Sequence, residues 1–308
     1  MARRLRIQYA GAMYHVVNRG NYRRDLFESV GAATAFLKTL EEACTLYRWK
    51  LYAYALMRNH YHLVIETVEP NLVDGMHWMQ CTYSTRFNRY RTERGHVFQG
   101  RYHAGIIENP MILGHIVDYV HLNPVKAGIM TADKAANFRW SSLGRFVRGL
   151  RLPSMEAQTW LVMRGLQDNK TGWISYQEHL CELAGNLEEQ KRLGWDGFSY
   201  GWAHGSESWR KEMANEHKQH ALDPGIEAGQ LKELKDLQWQ DHLNKALARA
   251  GRKVEDLQTG LRSAEWKLRI ALQLRKDHGI AIWWLAERLC LGKPNSARSL
   301  LWRTRNAN

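Results

Sequence analysis

The sequence predicts an α+β fold over its first 150 residues and an α-helical region at its C-terminus. Up to residue 122, apolar β-branched runs and segments of helical period follow one another in the order strand, helix, strand, strand, helix, strand, helix. The last sixty residues contain helical segments only. A four-stranded antiparallel sheet with helices on one face, the split βαβ arrangement, accommodates the first order most simply.

Each predicted element has a local signal. The predicted strands are apolar runs bounded by turn residues; they cover Ala12–Asn18, Lys50–Leu56, His60–Glu66 and the later part of Gly95–Glu108. The predicted helices place apolar residues at three- and four-residue steps; they cover Glu28–Arg48, Asn71–Arg91 and Pro110–Leu122. The last of them opens on a proline at its first position and closes before an Asn-Pro pair.

Composition bounds the class of protein. The chain has 308 residues, is 44% hydrophobic and 24% charged, and has four scattered cysteines without a CxxC spacing. This is an ordinary globular composition, which excludes a disordered chain, a collagen-like repeat and a disulfide scaffold. No apolar run is long enough for a membrane span, and the N-terminus has no secretion signal. We therefore expect a cytosolic (cytoplasmic) protein with no membrane partner.

The charge is strongly basic and unevenly placed. There are 44 Lys and Arg against 31 Asp and Glu, a net charge of +13. Residues 1–153 carry +10, residues 154–248 carry −5 and residues 249–308 carry +8. Two basic segments around an acidic one indicate two surfaces for a polyanion, and nucleic acid is the commonest one in the cytosol. The alternative is a soluble protein with uneven charge. The predicted domains are 1–150, an acidic linker with helices at 151–248, and 249–308.

The C-terminal segment has the pattern of a helix-turn-helix. Helical periodicity covers Ala264–Lys276, Ile282–Leu289 and Ser296–Arg305, and a short glycine-containing turn separates the last two. The final helix carries Arg298 and Arg303, which are suited to phosphates and base edges. We expect it to bind duplex DNA; the alternative is a helical bundle with a solvated basic face.

Two histidines mark the third predicted strand. His60 and His62 are two residues apart, so their side chains lie on one face of the strand. Two neutral imidazoles bind a divalent metal ion if a third ligand comes from elsewhere. The alternative is a pair of surface histidines in a chain that has 14 of them.

A tyrosine and an asparagine on the third predicted helix supply what the histidines lack. Tyr119 and Asn123 are four residues apart and share a helix face. A tyrosine hydroxyl is a nucleophile when its target is polarised, and an amide oxygen is a ligand for Mg²⁺ or Mn²⁺. The alternatives are a half-buried helix aromatic and a helix C-cap.

Three motifs in this order carry a family resemblance: LMRNHYHLVIE, GHVFQGRYHA and VDYVHLNPVKAG. Together they resemble the HUH-type single-tyrosine transposases, and more narrowly the branch associated with repeated extragenic palindromic elements. The resemblance covers roughly residues 1–150 and implies a ferredoxin-like HUH fold. One departure is Arg58, where relatives often have proline. Separately, GIAIWWLAERLCLGKPNSARSLLW is similar to the DNA-binding domain of bacterial replication initiators.

The resemblance implies a reaction and roles for its residues. His60, His62 and Asn123 correspond to the ligands of Mg²⁺ or Mn²⁺, and Tyr119 corresponds to the nucleophile that cleaves single-stranded or hairpin DNA through a 5′-phosphotyrosine. A homodimer is expected from the family. No general base is identifiable; His115 is eligible by spacing, with a plain helix residue as its alternative. Two other functions stay open: a DNA-binding regulator that keeps the nuclease fold without catalysis, and an RNA-binding protein.

The expected DNA contacts are basic and polar side chains near the motifs and in the last helix. They are Arg3, Arg4, Arg6, Arg19, Arg23, Arg24, Arg86, Arg89, Gln99, Arg101, Arg298 and Arg303.

Overall fold

The computed structural model describes residues 7–216 and 228–306. The predicted DNA contacts Arg3, Arg4 and Arg6 lie outside the described residues. The chain divides into two compact units, Met1–Arg210 and Lys211–Asn308. This division differs from the boundaries expected at residues 150 and 248, because residues 151–210 belong to the first unit.

The first unit is built on a five-stranded sheet in the order β2-β3-β1-β4-β5. The strands are β1 (Ala12–Arg19), β2 (Trp49–Met57), β3 (His60–Thr67), β4 (His103–Ile107) and β5 (Ala203–His204). The first four pair antiparallel, as the sequence indicates, but β5 pairs parallel with β4. The prediction of a purely antiparallel four-stranded sheet is therefore wrong. The two-residue β5 is too short to leave a period-two signal.

The helices of the first unit are α1 (Val30–Tyr47), α2 (Leu72–Arg91), α3 (Pro110–His121), α4 (Asn123–Lys126), α5 (Ser142–Val147), α6 (Gln158–Leu161), α7 (Lys170–Gly185), α8 (Leu187–Arg192) and α9 (Glu207–Glu216), the last of which runs into the second unit. The three long helices expected before residue 122 are present, with ends shifted by no more than two residues.

These helices cover both faces of the sheet. Tyr61 of β3 contacts Phe36 of α1 and is hydrogen-bonded to Gln80 of α2. His62, the next residue of β3, points to the opposite face and contacts Tyr119 of α3. The expectation of helices on one face is therefore wrong. Both faces of β2 and β3 are largely buried, so each needs a covering layer.

The segment after residue 150 contributes to the core of the first unit rather than linking two domains. Trp160, Trp173 and Tyr176 are buried together with Phe146 of α5. The rings of Phe146 and Trp173 are stacked with their centroids 5.1 Å apart. Aromatic side chains of this size bury a large apolar area, so this segment is held to the domain by its tryptophans and tyrosine.

The second unit contains α10 (Ala228–Arg249), α11 (Asp256–Thr259), α12 (Glu265–His278), α13 (Ile282–Arg288) and α14 (Pro294–Asn306). Its core includes Leu243, Leu268, Trp284 and Leu301. The three predicted C-terminal helices are present, and residues 289–293 form the turn between the last two. Among the helices of the described ranges, none combines the length and apolar character that a membrane span requires.

Candidate active site

The two predicted histidines lie on β3, an interior strand of the sheet. His62 is paired in register with Val17 of β1 and Ala55 of β2, so strands on both sides fix its position. The rings of His60 and His62 have centroids 5.2 Å apart. His60 is half-buried and His62 is buried. Desolvation by burial lowers the pKa of both imidazoles, so both rings are neutral at neutral pH.

Helix α3 brings Tyr119 to the same face. The helix begins at Pro110, and the side chain of Asn109 caps it by accepting hydrogen bonds from two backbone N–H groups. One face of α3 packs on the sheet, which places the Tyr119 ring edge-on to His62 with centroids 5.7 Å apart. The predicted tyrosine and one predicted ligand are therefore in contact.

Asn123 opens α4 immediately after α3. Its Nδ2 donates a hydrogen bond of 2.9 Å to the carbonyl oxygen of Tyr119. That bond satisfies a carbonyl that would otherwise be free at the helix end. The asparagine is thus tied to the tyrosine four residues earlier, as the spacing predicts, and its amide oxygen takes no part in that bond.

The hydroxyl of Tyr119 is covered by residues that sequence reasoning missed. It shares a hydrogen bond of 2.7 Å with the hydroxyl of Ser199, and its ring packs edge-on against Trp195 and Phe198. Burial raises the pKa of Tyr119, and hydrogen bonds from Ser199 and Asn123 oppose that rise. The phenol is therefore protonated at neutral pH and only 7% exposed.

His15 of β1 is a second residue that the sequence did not single out. Its ring is stacked on that of His62, with centroids 5.2 Å apart and planes 14° from parallel. Its Nε2 lies 3.0 Å from His62 Nδ1, and its Nδ1 lies 2.8 Å from the carbonyl oxygen of Phe198. Burial lowers the pKa of His15 to about 3, so this ring is neutral. Its only sequence signal is a histidine inside an apolar strand.

A cation lies against the tyrosine. Lys126, at the end of α4, places its Nζ 4.8 Å from the centroid of the Tyr119 ring and 5.0 Å from that of Trp195. Desolvation lowers the pKa of this ammonium. A positive charge beside a tyrosine and two histidines favours the approach of an anion.

His115, which the spacing makes eligible as a base, lies four residues before Tyr119 on α3. Burial lowers the pKa of His115, and the charges that act on it are chiefly those of Arg164 and Asp118. The hydroxyl of Tyr119 is bonded to Ser199. That described hydrogen bond does not involve His115, so its role as a base stays a prediction.

The predicted DNA contacts fall into two groups. Arg24 and Arg86 form ion pairs with Glu93 and Glu42, which reduces the charge they present. The others that are described are exposed; they are Arg19, Arg23, Arg89, Gln99, Arg101, Arg298 and Arg303. Arg19 lies opposite His60 in the sheet register, and the backbone N–H of Gln99 donates to the Arg19 carbonyl. Arg19 and Gln99 therefore lie at the end of the sheet where His60 begins β3.

The exposed side chain of Tyr22 lies in the same loop as Arg23. It is 93% exposed and its backbone has a left-handed conformation, with φ +52°. Sequence reasoning did not select this tyrosine, because an isolated aromatic in a turn has no periodic signal. A flat exposed ring is suited to stacking on an unpaired base.

The site thus consists of a sheet that carries two histidines, faced by a helix that carries a tyrosine, with an asparagine at the start of the next helix. Residues 8–123 match the model of the family described as "Transposase IS200 like". Among solved structures, the chain is similar to the REP-associated tyrosine transposase bound to a REP hairpin. The identity is 22%, the match covers 51% of this chain and 90% of that one, and the TM-score is 0.40. No curated protein matches the chain.

Proposed function

We propose that this protein nicks and joins single-stranded DNA at hairpin-forming palindromes, with Tyr119 as the nucleophile and a divalent cation as cofactor. The observation that carries the proposal is the contact between Tyr119 of α3 and His62 of β3. Asn123 adds to it by donating a hydrogen bond to the carbonyl oxygen of Tyr119. A helix and a strand far apart in sequence thus bring together the residues that the motifs single out.

The residues present fit a divalent cation. Asn59 Oδ1 can only accept a hydrogen bond, so His60 Nδ1 donates to it over 2.8 Å and His60 Nε2 keeps its lone pair. His60, His62 and Asn123 would hold the ion, which would polarise the scissile phosphate. Of the two expected cations, Mn²⁺ is the better match, because Mg²⁺ favours oxygen ligands. Within residues 7–216 and 228–306, no group of three His, Cys, Asp or Glu is placed to bind a metal, so the asparagine oxygen is essential to this set.

The reaction is a phosphoryl transfer with balanced bonds. The oxygen of Tyr119 loses its proton to solvent and attacks phosphorus; the bond to the 3′ oxygen breaks, and that oxygen takes up a proton as the 3′-hydroxyl. The 5′ end is then held as a phosphotyrosine. A 3′-hydroxyl attacks it in the joining step and restores the phenol. Positioning and charge neutralisation carry most of the catalysis in such reactions, and the Lys126 ammonium is placed to neutralise phosphate charge.

The proposed partners follow from the two basic surfaces. Arg19 and Gln99 border His60, and the backbone carbonyl of Arg23 accepts a hydrogen bond from Asn59 next to it. Tyr22 offers a ring for an unpaired base, so single-stranded or hairpin DNA is the proposed ligand of the first unit. Arg298 and Arg303 of α14 are the proposed contacts of the second unit to duplex DNA. A homodimer remains a proposal from the family resemblance.

A covalent adduct tests the proposal. The protein, Tyr119→Phe and the matched control Tyr200→Phe, whose hydroxyl lies on an exposed side chain, are each incubated with labelled hairpin-bearing single strands from the gene's own flanks. We expect a protein–DNA species on a denaturing gel with Mn²⁺, its loss with chelator or Tyr119→Phe, and its retention in Tyr200→Phe. An adduct that survives in Tyr119→Phe contradicts the assigned nucleophile.

A DNA-binding regulator without catalysis is the second candidate function. The observation in its favour is the burial of the Tyr119 hydroxyl against Ser199, since a nucleophile has to reach its phosphate. Hairpin binding without adduct formation on any of the flanking sequences supports this second function.

A further inference from the structure

We infer that His15 is a positioning residue that fixes the tautomer of His62 and thereby presents the His62 Nε2 lone pair to the cation. This inference rests on the proposed function for its cation, but the hydrogen-bond relay that carries it stands on the geometry of His62, His15 and Phe198 alone. No motif in the sequence points to His15.

The hydrogen-bond relay starts at the carbonyl oxygen of Phe198, which has no proton to donate. The carbonyl oxygen of Phe198 can only accept, so His15 Nδ1, 2.8 Å away, carries the proton and donates it. A neutral imidazole with a proton on Nδ1 has an unprotonated Nε2. His15 Nε2 is therefore an acceptor, and His62 Nδ1, 3.0 Å away, donates to it.

The consequence falls on the far nitrogen of His62. With its proton on Nδ1, His62 has its lone pair on Nε2. This is the same tautomer that Asn59 imposes on His60. Both rings then present the same nitrogen, one through a bond to a neighbouring side chain and the other through a three-group relay.

The relay also reaches beyond the segment that matches the transposase family. Residues 8–123 contain His15 and His62, whereas Phe198 lies 183 residues after His15.

Both imidazoles are almost completely buried, at 0% and 2% exposure, so water does not compete for their inner nitrogens. Partners that orient a metal-binding histidine typically change metal affinity by about 10–100-fold when removed.

The first measurement uses the unmodified protein without metal. Two-bond ¹H–¹⁵N correlation spectra distinguish the two neutral tautomers of each histidine, and a His62→Gln variant assigns the His62 signals. We expect a protonated Nδ1 and an unprotonated Nε2 for both His62 and His15. A proton on His62 Nε2 overturns the inference, whether or not the protein cleaves DNA.

The second measurement is Mn²⁺ affinity by calorimetry, independent of cleavage. We expect His15→Phe to weaken binding by about 10–100-fold and His15→Gln to retain more affinity, because its amide oxygen can accept from His62 Nδ1 while its NH₂ donates to Phe198. The matched control is His204→Phe, a buried ring 6.1 Å from His15 that is outside the relay. Equal affinity in folded His15→Phe and wild type overturns the inference, as does a wild type that does not bind Mn²⁺.

The two hypotheses fail in different ways. A protein with the expected tautomers and Mn²⁺ affinities that forms no DNA adduct contradicts the nicking function and supports the relay. A protein that forms the Tyr119 adduct but has His62 protonated on Nε2 supports the nicking function and contradicts the relay. If His15→Phe does not fold, the wild-type spectra and the His15→Gln titration decide.

Discussion

The hydroxyl of Tyr119 is hydrogen-bonded to the hydroxyl of Ser199 over 2.7 Å, across 80 residues of sequence. Ser199 lies after the segment that matches the transposase family. The proposed nucleophile therefore takes its immediate environment from a part of the chain that the family motifs do not include. Trp195 and Phe198 reinforce this by packing edge-on against the same ring.

This bond predicts a shift in the pH dependence of cleavage. Ser199 opposes the rise that burial causes in the pKa of Tyr119, so Ser199→Ala should raise that pKa further. The fraction of phenolate at a given pH then falls, and we expect adduct formation to slow by about two- to tenfold, in line with the net free energy of one hydrogen bond. The measurement is the single-turnover rate of adduct formation between pH 7 and 10. A pH profile identical to that of the wild type contradicts this role, and Ser206→Ala serves as the control.

A buried polar network next to the proposed nucleophile predicts that Tyr176→Phe destabilises the fold. The carboxylate of Asp118 is completely buried; it accepts a 2.9 Å hydrogen bond from the Tyr176 hydroxyl and pairs with Arg164. The same Tyr176 hydroxyl is 2.9 Å from His121 Nδ1. Tyr176→Phe leaves buried polar atoms without this partner, so we expect the free energy of unfolding to fall by about 1–3 kcal/mol.

Urea denaturation followed by circular dichroism measures that loss. The exposed Tyr200 is the matched control, and Tyr200→Phe should change the free energy of unfolding by less than about 0.5 kcal/mol. Equal stabilities of the two variants would show that the network contributes nothing to folding.

The ion pair between Arg151 and Asp168 predicts that the free energy of unfolding falls at acid pH. Arg151 forms a bidentate pair with Asp168, and hydrogen bonding from that guanidinium lowers the pKa of the carboxyl, with a further contribution from Trp173. In the folded protein the pKa of Asp168 lies below its ordinary value of 3.8. The ion pair therefore stabilises the fold at any pH above 3.8, and this stabilisation is lost as the pH falls through the lowered pKa. Asp168→Asn should reduce the free energy of unfolding by about 1 kcal/mol near pH 6.

The difference between Asp168→Asn and wild type should shrink when unfolding is measured at pH 3 or lower. Asp241→Asn, which removes a surface pair with Lys245, is the control and should have a smaller effect. A difference that is constant from pH 6 to pH 2 contradicts the sign of the pKa shift.

The exposed cations of α14 predict a separable duplex interaction. Replacing both Arg298 and Arg303 with alanine should weaken duplex binding and reduce the slope of log K against log salt by about 1 for each lost phosphate contact. Cleavage of a short hairpin should be unchanged, because these residues belong to the other compact unit. Fluorescence anisotropy at several salt concentrations checks the binding. An unchanged slope would place the duplex contacts elsewhere.

The sequence predicts the elements of the site well, because each has a local pattern. Strand alternation places His60 and His62 on one face, and the four-residue spacing places Asn123 at the end of the turn that begins at Tyr119. The spacing of apolar residues likewise locates the C-terminal helices. These features depend on residues that are close in sequence, where periodicity is informative.

The contacts that complete the site are not local and have no such signal. His15 meets His62 only because β1 pairs with β3, and Phe198 and Ser199 arrive from a Gly- and Trp-rich segment with weak periodicity. The fifth strand is two residues long. A sequence pattern cannot predict which distant backbone carbonyl will face a buried imidazole, because that depends on the packing of the whole unit.

The most direct test of the central claim is to locate the covalent bond. The Mn²⁺-dependent adduct between the protein and hairpin-bearing single-stranded DNA is digested with nuclease and protease and then analysed by tandem mass spectrometry. The account predicts a nucleotide joined through its 5′-phosphate to Tyr119, in the peptide that also contains Asn123. A nucleotide on any other residue, or a 3′-phosphate linkage, would contradict it.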